Sequence, residues 1–405
     1  MPPFPEHLEA DVIVVGASPA GLRAAWAAAR EGASVVLLEA REEIGVPEPL
    51  AALAFDALWT AEAHAPPEAV RSRLEGLRVQ TPGGATVTVE AAARVLDRTR
   101  FDRHLAQEAQ AQGATLRLGV RQLTIAGSGH LQAEGLSVHG RALLFADGAR
   151  SLAHRLLTPY RDPTALLWGA AHEVRAPGAE TTRFAALQVG SHAPGGRTQL
   201  TPAGGDRWLH WTFVRGSAEE TRAAAEAAVA RLHAEEVTFR GLGVDPVLTI
   251  PHELVGDGLL VAGGAAGQGG LEAGLAAGEA AGRVAGRAAL AAPPGGVVRA
   301  AALRPYEREW KREFLPGYLR LRSVLDHLAR LSDAQLDALA APWNGRRIPA
   351  ATVQGLSHRV AAVRALTAAG ALARNPRAVL PFLRLALPAL GEPEGVRELT
   401  RKQEA

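Results

Sequence analysis

The stretch that decides the fold is Asp11–Arg41, which has the sequence DVIVVGASPAGLRAAWAAAREGASVVLLEAR. Its β-branched run Val12–Val15 is typical of a strand buried in a parallel sheet. Gly16 permits a sharp turn after this strand. In the helix that follows, Ser18 is placed as the N-cap and Pro19 as the first residue, where a missing N–H costs nothing. A second apolar run ends in an acid, so the stretch predicts a strand, a turn, a helix and a second strand.

A nucleotide-binding site is predicted at this turn. The N-terminus of the helix offers backbone N–H groups to a pyrophosphate. Glu39 ends the second strand, where an acid accepts hydrogen bonds from an adenosine ribose and disfavours a 2′-phosphate, so FAD or NAD is preferred to NADP. Ser18 stands where a glycine is usual, and its Cβ is expected to hinder the approach of the phosphates. The alternative is a βαβ unit that binds no ligand. The predicted nucleotide contacts are Gly16, Ser18, Pro19, Ala20, Gly21, Glu39, Ala40 and Arg41.

The composition indicates a globular protein with one large or two modest domains. Hydrophobic residues make up 47% of the chain and charged residues 21%, and the formal charge of +2 is too small to argue for a nucleic-acid partner. The chain has no cysteine, which excludes a disulfide, a thiolate nucleophile and a cysteine-based metal or iron–sulfur site. We predict no metal site. No apolar stretch approaches the ~18 residues that span a bilayer, and no signal peptide follows Met1, so we expect a cytoplasmic protein.

Hydrophobic periodicity predicts further elements along the chain. A helix is expected near Pro67–Glu75, followed by a hairpin around a Thr-Pro-Gly-Gly turn at 81–84. Helical spacing recurs over Arg98–Gly113. Alternating segments with glycine turns over Trp168–Phe213 are typical of an antiparallel sheet. Beyond Pro293 the pattern is helical.

Three later stretches accompany the N-terminal motif. They are RTRFDRHL at Arg98–Leu105, FADGARS at Phe145–Ser151 with a basic residue at Arg155, and LLVAGGAAG at Leu259–Gly267. Together with the first motif, their order resembles the flavoprotein family built like p-hydroxybenzoate hydroxylase. Within that family the chain looks most like the geranylgeranyl reductase branch, whose C-terminal region the run LRPYEREW at Leu303–Trp310 also resembles.

The resemblance implies an α/β fold with a Rossmann-type FAD-binding domain of the p-hydroxybenzoate hydroxylase-like kind, an antiparallel β-sheet substrate domain and a helical C-terminus. The FAD-binding domain is expected to be discontinuous. The expected boundaries are 1–45, 94–160 and 246–295 for the FAD-binding domain, 46–93 and 161–245 for the substrate domain, and 296–405 for the helical region.

The resemblance also assigns residues to the cofactor. Arg98 matches a basic residue that contacts the flavin cofactor, and Asp147 and Gly148 match a motif that lies against the nucleotide. The family usually has an aspartate at the position of Gly264, so one cofactor anchor is missing here and weaker FAD binding is expected. The residues implied for the loop over the flavin ring and for the helix start beside it are Gly263, Gly264, Gly267, Gly270 and Leu271.

The strand WLHWTF at 208–213 is the candidate substrate wall. Alternation places Trp208 and His210 on one face and Trp211 and Phe213 on the other. In prenyl-chain reductases a similar aromatic strand lines an apolar tunnel, so Trp208, Trp211 and Phe213 are the candidate substrate-lining residues. A plain sheet core is the alternative. No catalytic residue is identified from the sequence except His210, a candidate proton donor or base, although an isolated histidine in a sheet is more often structural.

The resemblance implies an FAD-dependent oxidoreductase that reduces carbon–carbon double bonds of a prenyl lipid or similar apolar substrate. NADPH or a small reduced electron carrier would supply the electrons. The alternatives are a flavin monooxygenase that hydroxylates an aromatic compound and a flavin-fold protein that has lost tight FAD binding. Halogenases of this fold need an active-site lysine, and here lysine occurs only at Lys311 and Lys402. The apolar segment Pro376–Leu390 would either dock on the protein or make peripheral contact with the inner membrane face.

Overall fold

The first of two sheets is built around the strand that the opening motif predicts. The computed structural model describes residues 6–49, 53–56, 65–158, 166–176, 182–246, 249, 252–293, 295–357 and 361–379. Strand β1 (Glu6–Val15) pairs in parallel with β2 (Val35–Leu38) on one side and with β9 (Leu136–Phe145) on the other. All four residues of Val12–Val15 are buried, because this strand is covered on both faces.

Further strands extend this sheet in both directions. The strand β6 (Thr115–Arg117) pairs in parallel with β2, and β16 (Leu259–Val261) pairs in parallel with β9. The strand β15 (Val255–Gly256) is antiparallel to β16. The hairpin of β7 (Thr124–Gly127) and β8 (His130–Ala133) joins the sheet through antiparallel pairing of β8 with β9.

Three helices cover the first sheet and share its core. They are α1 (Pro19–Arg30), α2 (Arg98–Ala111) and α4 (Leu271–Ala291). Helices α1 and α4 pack against each other, and small residues on both allow a close approach. The core of this half joins Val12, Leu37 and Phe145 from the sheet to Leu22 and Phe101 from the helices.

The second sheet has mostly antiparallel strands, and one helix covers one of its faces. The strands are β3 (Leu53–Phe55), β4 (Val70–Gln80), β5 (Thr86–Leu96), β10 (Leu167–Arg175), β11 (Phe184–Gln188), β12 (Arg197–Gly204), β13 (Arg207–Val214), β14 (Glu236–Asp245) and β17 (Arg347–Ile348). The order of the main strands is β14-β10-β13-β12-β11-β4-β5-β17, and β3 adds to β5. The helix is α3 (Ala218–Ala230), which packs on β10, β13 and β14.

The C-terminal region is helical and contacts both sheets. Its helices are α5 (Ala300–Glu313), α6 (Leu315–Leu328), α7 (Asp333–Ala340), α8 (Ala350–Ser357) and α9 (Ala361–Ala373). Leu303, Tyr306 and Trp310 of α5 are buried in the core of the first sheet. Asp333, at the start of α7, accepts hydrogen bonds from the N–H and hydroxyl of Ser191, and Asp337 accepts one from the N–H of Gly83.

The predicted fold class is confirmed, and one predicted element is wrong. The segment Pro67–Glu75 is not a helix: a single 3-10 turn at Pro67–Ala69 leads into β4. The apolar side chains of this segment meet cross-strand partners in β5, and this pairing overrides the local helical spacing. The predicted hairpin that follows is confirmed, because Gln80 pairs with Thr86 across the turn.

Two predictions about chain organisation have no structural test. The domain boundaries stay a prediction. The segment Pro376–Leu390 falls outside the described residues beyond position 379. Among the described residues, no helix is long and apolar enough to cross a membrane.

Candidate cofactor and substrate site

A cleft opens where the carboxyl ends of β1, β2 and β9 meet. Because β1 lies between two parallel neighbours, the strand order reverses beside it, and such switch points are where α/β sheets bind ligands. The cleft has a volume of about 540 Å³. The predicted residues that line it are Gly16, Ser18, Pro19, Glu39, Ala40, Arg41, Arg98, Asp147 and Gly148. Ala20 and Gly21 lie behind it, buried in α1.

Close backbone contacts require two glycines at this turn. Gly16 has φ +96°, and a Cβ there would lie 2.8 Å from both the carbonyl oxygen of Ala146 and the Cα of Asp147. A Cβ on Gly21 would lie 1.9 Å from the carbonyl oxygen of Gly16. The turn and the first turn of α1 can therefore pack as they do only with glycine at both positions.

Ser18 both caps α1 and ties its start to β9. Its hydroxyl oxygen accepts a hydrogen bond from the N–H of Gly21 at 3.3 Å and donates one to the carbonyl oxygen of Ala146 at 2.8 Å. The side chain therefore has a structural role that a glycine could not supply. This accounts physically for the serine in place of the usual glycine.

The Glu39 carboxylate is held in one orientation by backbone groups. Its Oε2 accepts a hydrogen bond from the N–H of Ala17 at 2.6 Å, and its Oε1 accepts one from the N–H of Arg41 at 3.0 Å. A carboxylate has about four lone-pair positions, so two of these bonds leave capacity for hydroxyl donors. The residue fits the expected recognition of a ribose.

Arg98 is buried in a paired state at the edge of the cleft. Its Nε and Nη2 donate to the two carboxylate oxygens of Asp102, each at 3.1 Å. Burial raises the pKa of Asp102, while the charge of Arg98 opposes this effect. The pair fixes the guanidinium rigidly beside the space where an anionic cofactor group would lie.

The Asp147–Gly148 turn forms the opposite wall of the cleft. Asp147 accepts a hydrogen bond from the N–H of Leu152 at 2.8 Å. Burial raises the pKa of Asp147, and a hydrogen bond from Ser151 lowers it in part. Arg150 and Arg155 also line the cleft. With Arg41 and Arg98, they surround it with guanidinium groups that suit a pyrophosphate.

The glycine-rich loop after β16 lies against this turn. A Cβ on Gly264 would lie 3.3 Å from the Cα of Gly148, so the two segments are adjacent. The buried side chain of Gln268 holds the loop: its Oε1 accepts from the N–H of Gly263 at 2.7 Å, and its Nε2 donates to the Tyr306 hydroxyl at 3.0 Å. Tyr306 in turn donates to the carbonyl oxygen of Val261 at 2.9 Å. A C-terminal helix therefore fastens a loop that lacks the usual aspartate.

The aromatic strand β13 presents different residues to its two sides. Trp208 packs with Val229 of α3. Trp211 and Phe213 lie on the other face, in a cluster that includes Phe55 of β3. The N–H of Phe55 donates to Oε1 of Glu272, in the first turn of α4, at 2.6 Å. The Trp211 face is therefore the one beside α4, whereas the structure places Trp208 on the helix-covered face and not on a shared substrate wall.

His210 lies on the same helix-covered face as Trp208. Its ring centroid is 6.3 Å from that of His172. Burial, with help from His172 and Arg231, lowers the pKa of His210 to about 4. This neutral histidine lies beneath α3, away from the Trp211 face, and its position fits the structural alternative.

The residues of the cleft fit the adenosine diphosphate part of a dinucleotide, and the fold and cleft define a Rossmann-type flavoprotein. A family model described as FAD dependent oxidoreductase matches residues 11–118. Digeranylgeranylglycerophospholipid reductase 1 of Methanothermobacter thermautotrophicus is 31% identical over 362 residues, which cover 82% of this chain and 90% of the relative. The chain belongs to the geranylgeranyl reductase family of FAD-dependent oxidoreductases, which confirms the predicted family, the prediction of FAD and the predicted enzyme class.

Solved structures share the architecture. A geranylgeranyl bacteriochlorophyll reductase-like protein from Thermoplasma acidophilum superposes with a TM-score of 0.77 at 20% identity, covering 94% of this chain and all of that one. A variant of the flavin-dependent brominase Bmp2 reaches a TM-score of 0.63 at 14% identity, covering 91% of this chain and all of that one. At these identities the likeness shows the fold alone.

Several residues at the site were not predicted from the sequence. Asp102 is four residues after Arg98 on a helix, and this spacing could have identified it as a partner. Gln268, Tyr306 and Glu272 carry no comparable signal. Their partners are distant in the chain, so only the folded chain reveals their roles.

Proposed function

We propose that this protein uses FAD to reduce carbon–carbon double bonds of a prenyl lipid or a similar long apolar substrate. The observation that carries the proposal is the face of the second sheet that adjoins α4. That face is apolar, with Leu209, Trp211, Phe213 and Phe55 in one cluster. The name of the methanogen relative, a reductase of a geranylgeranylated lipid, supports the same substrate class.

The protein would position the cofactor and the substrate and would exclude water from the reaction. Bound FAD would supply hydride to an alkene carbon. Glu39, Arg98 and the Asp147–Gly148 turn would hold its nucleotide end, and the family resemblance assigns the flavin ring to the start of α4. The aromatic face of β13 would hold the alkene there and exclude water.

Glu272 is our candidate for the proton that the second alkene carbon needs. Its Oε1 accepts from the N–H of Phe55, which leaves Oε2 to carry a proton. Burial raises the pKa of Glu272, so the acid form persists to higher pH than in an exposed glutamate. The residue lies in the first turn of α4, to which the family resemblance assigns the flavin ring, and bonds to Phe55 of the apolar face.

The electron donor and the membrane contact belong to the same proposal. NADPH or a small reduced carrier would reduce the flavin transiently. A lipid substrate would require peripheral contact with the inner face of a membrane.

The test is a reduction assay under anaerobic conditions. The protein is loaded with FAD, reduced chemically and mixed with a twenty-carbon prenyl alcohol. We expect flavin reoxidation together with a product that has gained one molecule of hydrogen per double bond, measured by mass spectrometry. Glu272→Gln keeps the acceptor for Phe55 but loses the acidic proton, and it should slow reoxidation by about 10²-fold with FAD affinity unchanged.

Two results would contradict the proposed function, and a third would contradict the role of Glu272. Failure of the protein to bind added FAD would show that the cofactor site has been lost. Oxygen incorporated into an aromatic product would indicate a monooxygenase. Full activity of the Glu272→Gln variant would remove this residue from the mechanism.

A further inference from the structure

The outermost strand of the second sheet, β14, exposes large hydrophobic side chains to solvent. In the described part of the chain β14 pairs on one side only, with β10. Val237, Phe239 and Leu242 are exposed by 49%, 43% and 37%. All three lie on the side of the sheet that α3 covers, where the guanidinium of Arg222 is 5.0 Å from the Phe239 ring. A long edge strand with exposed hydrophobic side chains is suited to pair with another strand.

The backbone of β14 offers hydrogen-bonding groups at this edge. In an antiparallel pair every second residue bonds to a given neighbour. The N–H of Ala176, at the end of β10, donates to the chain just before β13, so the backbone groups of Glu173 point the other way, to β14. Thr238 is opposite Glu173 and bonds inward. The N–H and C=O groups of Val237 and Phe239 therefore point outward from the sheet.

The sequence of β14 is complementary to itself. In the run EVTFR at 236–240, Glu236 and Arg240 are equally spaced about Thr238. A two-fold axis at Thr238 would place Glu236 opposite Arg240 of a second copy, and Val237 opposite Phe239. In this register Val237 and Phe239 would exchange backbone hydrogen bonds across the edge, as their outward groups require. Opposite charges and apolar side chains that face each other directly stabilise such a pair of strands.

The internal contacts of the two charged residues leave them able to bind a second copy. Glu236 is 3.7 Å from Arg175, and Arg240 contacts Glu173. Both side chains keep exposed surface. Arg175 also contacts Asp206, so it does not depend on Glu236 for an acidic partner. A guanidinium has five N–H donors, and Arg240 can therefore contact a second carboxylate while it holds Glu173.

We propose that a second copy of this chain docks on β14 by antiparallel pairing of residues 236–240, which joins the two second sheets into one continuous sheet. The two-fold axis would be perpendicular to the sheet. Helix α3 of both copies would then lie on the same side, with Val237 and Phe239 of both copies between the two helices. The docking surface is remote from the nucleotide cleft of the first sheet, so the inference does not rest on the proposed function.

The test is sedimentation equilibrium of the FAD-loaded protein over a range of concentrations. We expect a reversible equilibrium between one and two chains. Val237→Lys places a charge on the apolar part of the edge and should weaken dimerisation by at least about tenfold. Leu290→Lys is the matched control, because Leu290 is exposed by 47% at the end of α4, and it should keep the wild-type dissociation constant.

A pair of charge reversals tests the register. Glu236→Arg would place two arginines opposite each other at both ends of the paired segment, and Arg240→Glu would place two glutamates there. Each variant alone should dimerise at least about tenfold more weakly than the wild type. A mixture of the two variants should form a heterodimer, because every facing pair then joins opposite charges. Thermal melting of each variant verifies that it is folded, and native mass spectrometry identifies the heterodimer.

The results separate this inference from others. A wild type that stays monomeric at every concentration would overturn it, and so would a dimer that survives Val237→Lys. Folded charge variants that do not associate when mixed would overturn the register. A monomer that reduces a prenyl alcohol would contradict this inference and leave the proposed function intact. A dimer that depends on Val237 and forms equally well without FAD would support the inference alone.

Discussion

Individual residues at the site show how a departure from a family pattern is compensated. Gly264 replaces an aspartate, and the loop that contains it is fastened by Gln268 and Tyr306. Ser18 replaces a glycine and becomes an N-cap that also binds Ala146. Each departure is accommodated by hydrogen bonds that are visible in the folded chain.

Restoring the aspartate should strengthen FAD binding. A Cβ at position 264 would lie 3.3 Å from the Cα of Gly148, a distance that a small shift accommodates. We expect Gly264→Asp to lower the FAD dissociation constant by about tenfold, the effect of one charge-assisted hydrogen bond. Quenching of flavin fluorescence measures the affinity, and Gly264→Ala controls for the added bulk. Equal affinities of the two variants would contradict the prediction.

His210 should make the fold sensitive to acid. Folding lowers the pKa of this histidine to about 4, whereas its pKa in the unfolded chain is about 6.5. Between these pH values the histidine is neutral in the folded state and protonated in the unfolded chain. Its contribution to stability is therefore complete above pH 6.5 and is lost as the pH falls toward 4, by up to about 1.4 kcal/mol per pH unit.

The measurement is the free energy of unfolding between pH 4 and 6.5. His210→Gln should flatten the fall in this range relative to the wild type. An unchanged slope in His210→Gln would show that other groups cause the acid sensitivity.

At the scale of elements, the packing of α4 on α1 explains the glycine-rich run after β16. Glycines recur every fourth residue along one side of α4. A Cβ on Gly278 would lie 2.1 Å from the carbonyl oxygen of Ala20, and a Cβ on Gly282 would lie 2.1 Å from that of Ala24. The two helices therefore approach through backbone contact, and this places the start of α4 beside the nucleotide turn.

Two substitutions in the same helix should have opposite effects on stability. Gly278→Ala forces α4 away from α1 and should cost about 1–3 kcal/mol or more. A Cβ on Gly274 would lie 3.8 Å from the Cβ of Ala20, which is an ordinary contact distance. Gly274→Ala should therefore be neutral or stabilise by up to about 1 kcal/mol through helix propensity. Chemical denaturation measures both, and similar effects of the two substitutions would refute the close-packing argument.

At the scale of the whole molecule, the two sheets are linked by several contacts. Phe55 of the second sheet bonds to Glu272 of α4. Helix α6 contributes Leu325 to the cluster around Leu167, and its Asp326 pairs with Arg215. The preceding helix α5 is anchored in the core of the first sheet.

These links predict that the described parts of the chain unfold together. The proposed FAD contacts lie mainly on the first sheet, yet added FAD should raise the melting temperature of one shared transition. At a hundredfold excess over the dissociation constant, the stabilisation is about 2.7 kcal/mol. Differential scanning calorimetry with and without FAD tests this, and two transitions of which FAD shifts one would contradict it.

The sequence by itself determined the features that depend on neighbours in the chain. The β1–α1–β2 unit, its glycine turn, its Ser18 cap and its terminal acid follow from backbone sterics, capping and periodicity, which act over a few residues. Only the tertiary structure decided the strand at Val70–Gln80, the burial of His210 beneath α3, and the hydrogen bonds by which Gln268 and Tyr306 hold the loop. These features depend on partners far away in the chain, and packing between distant segments overrides or conceals the local signal.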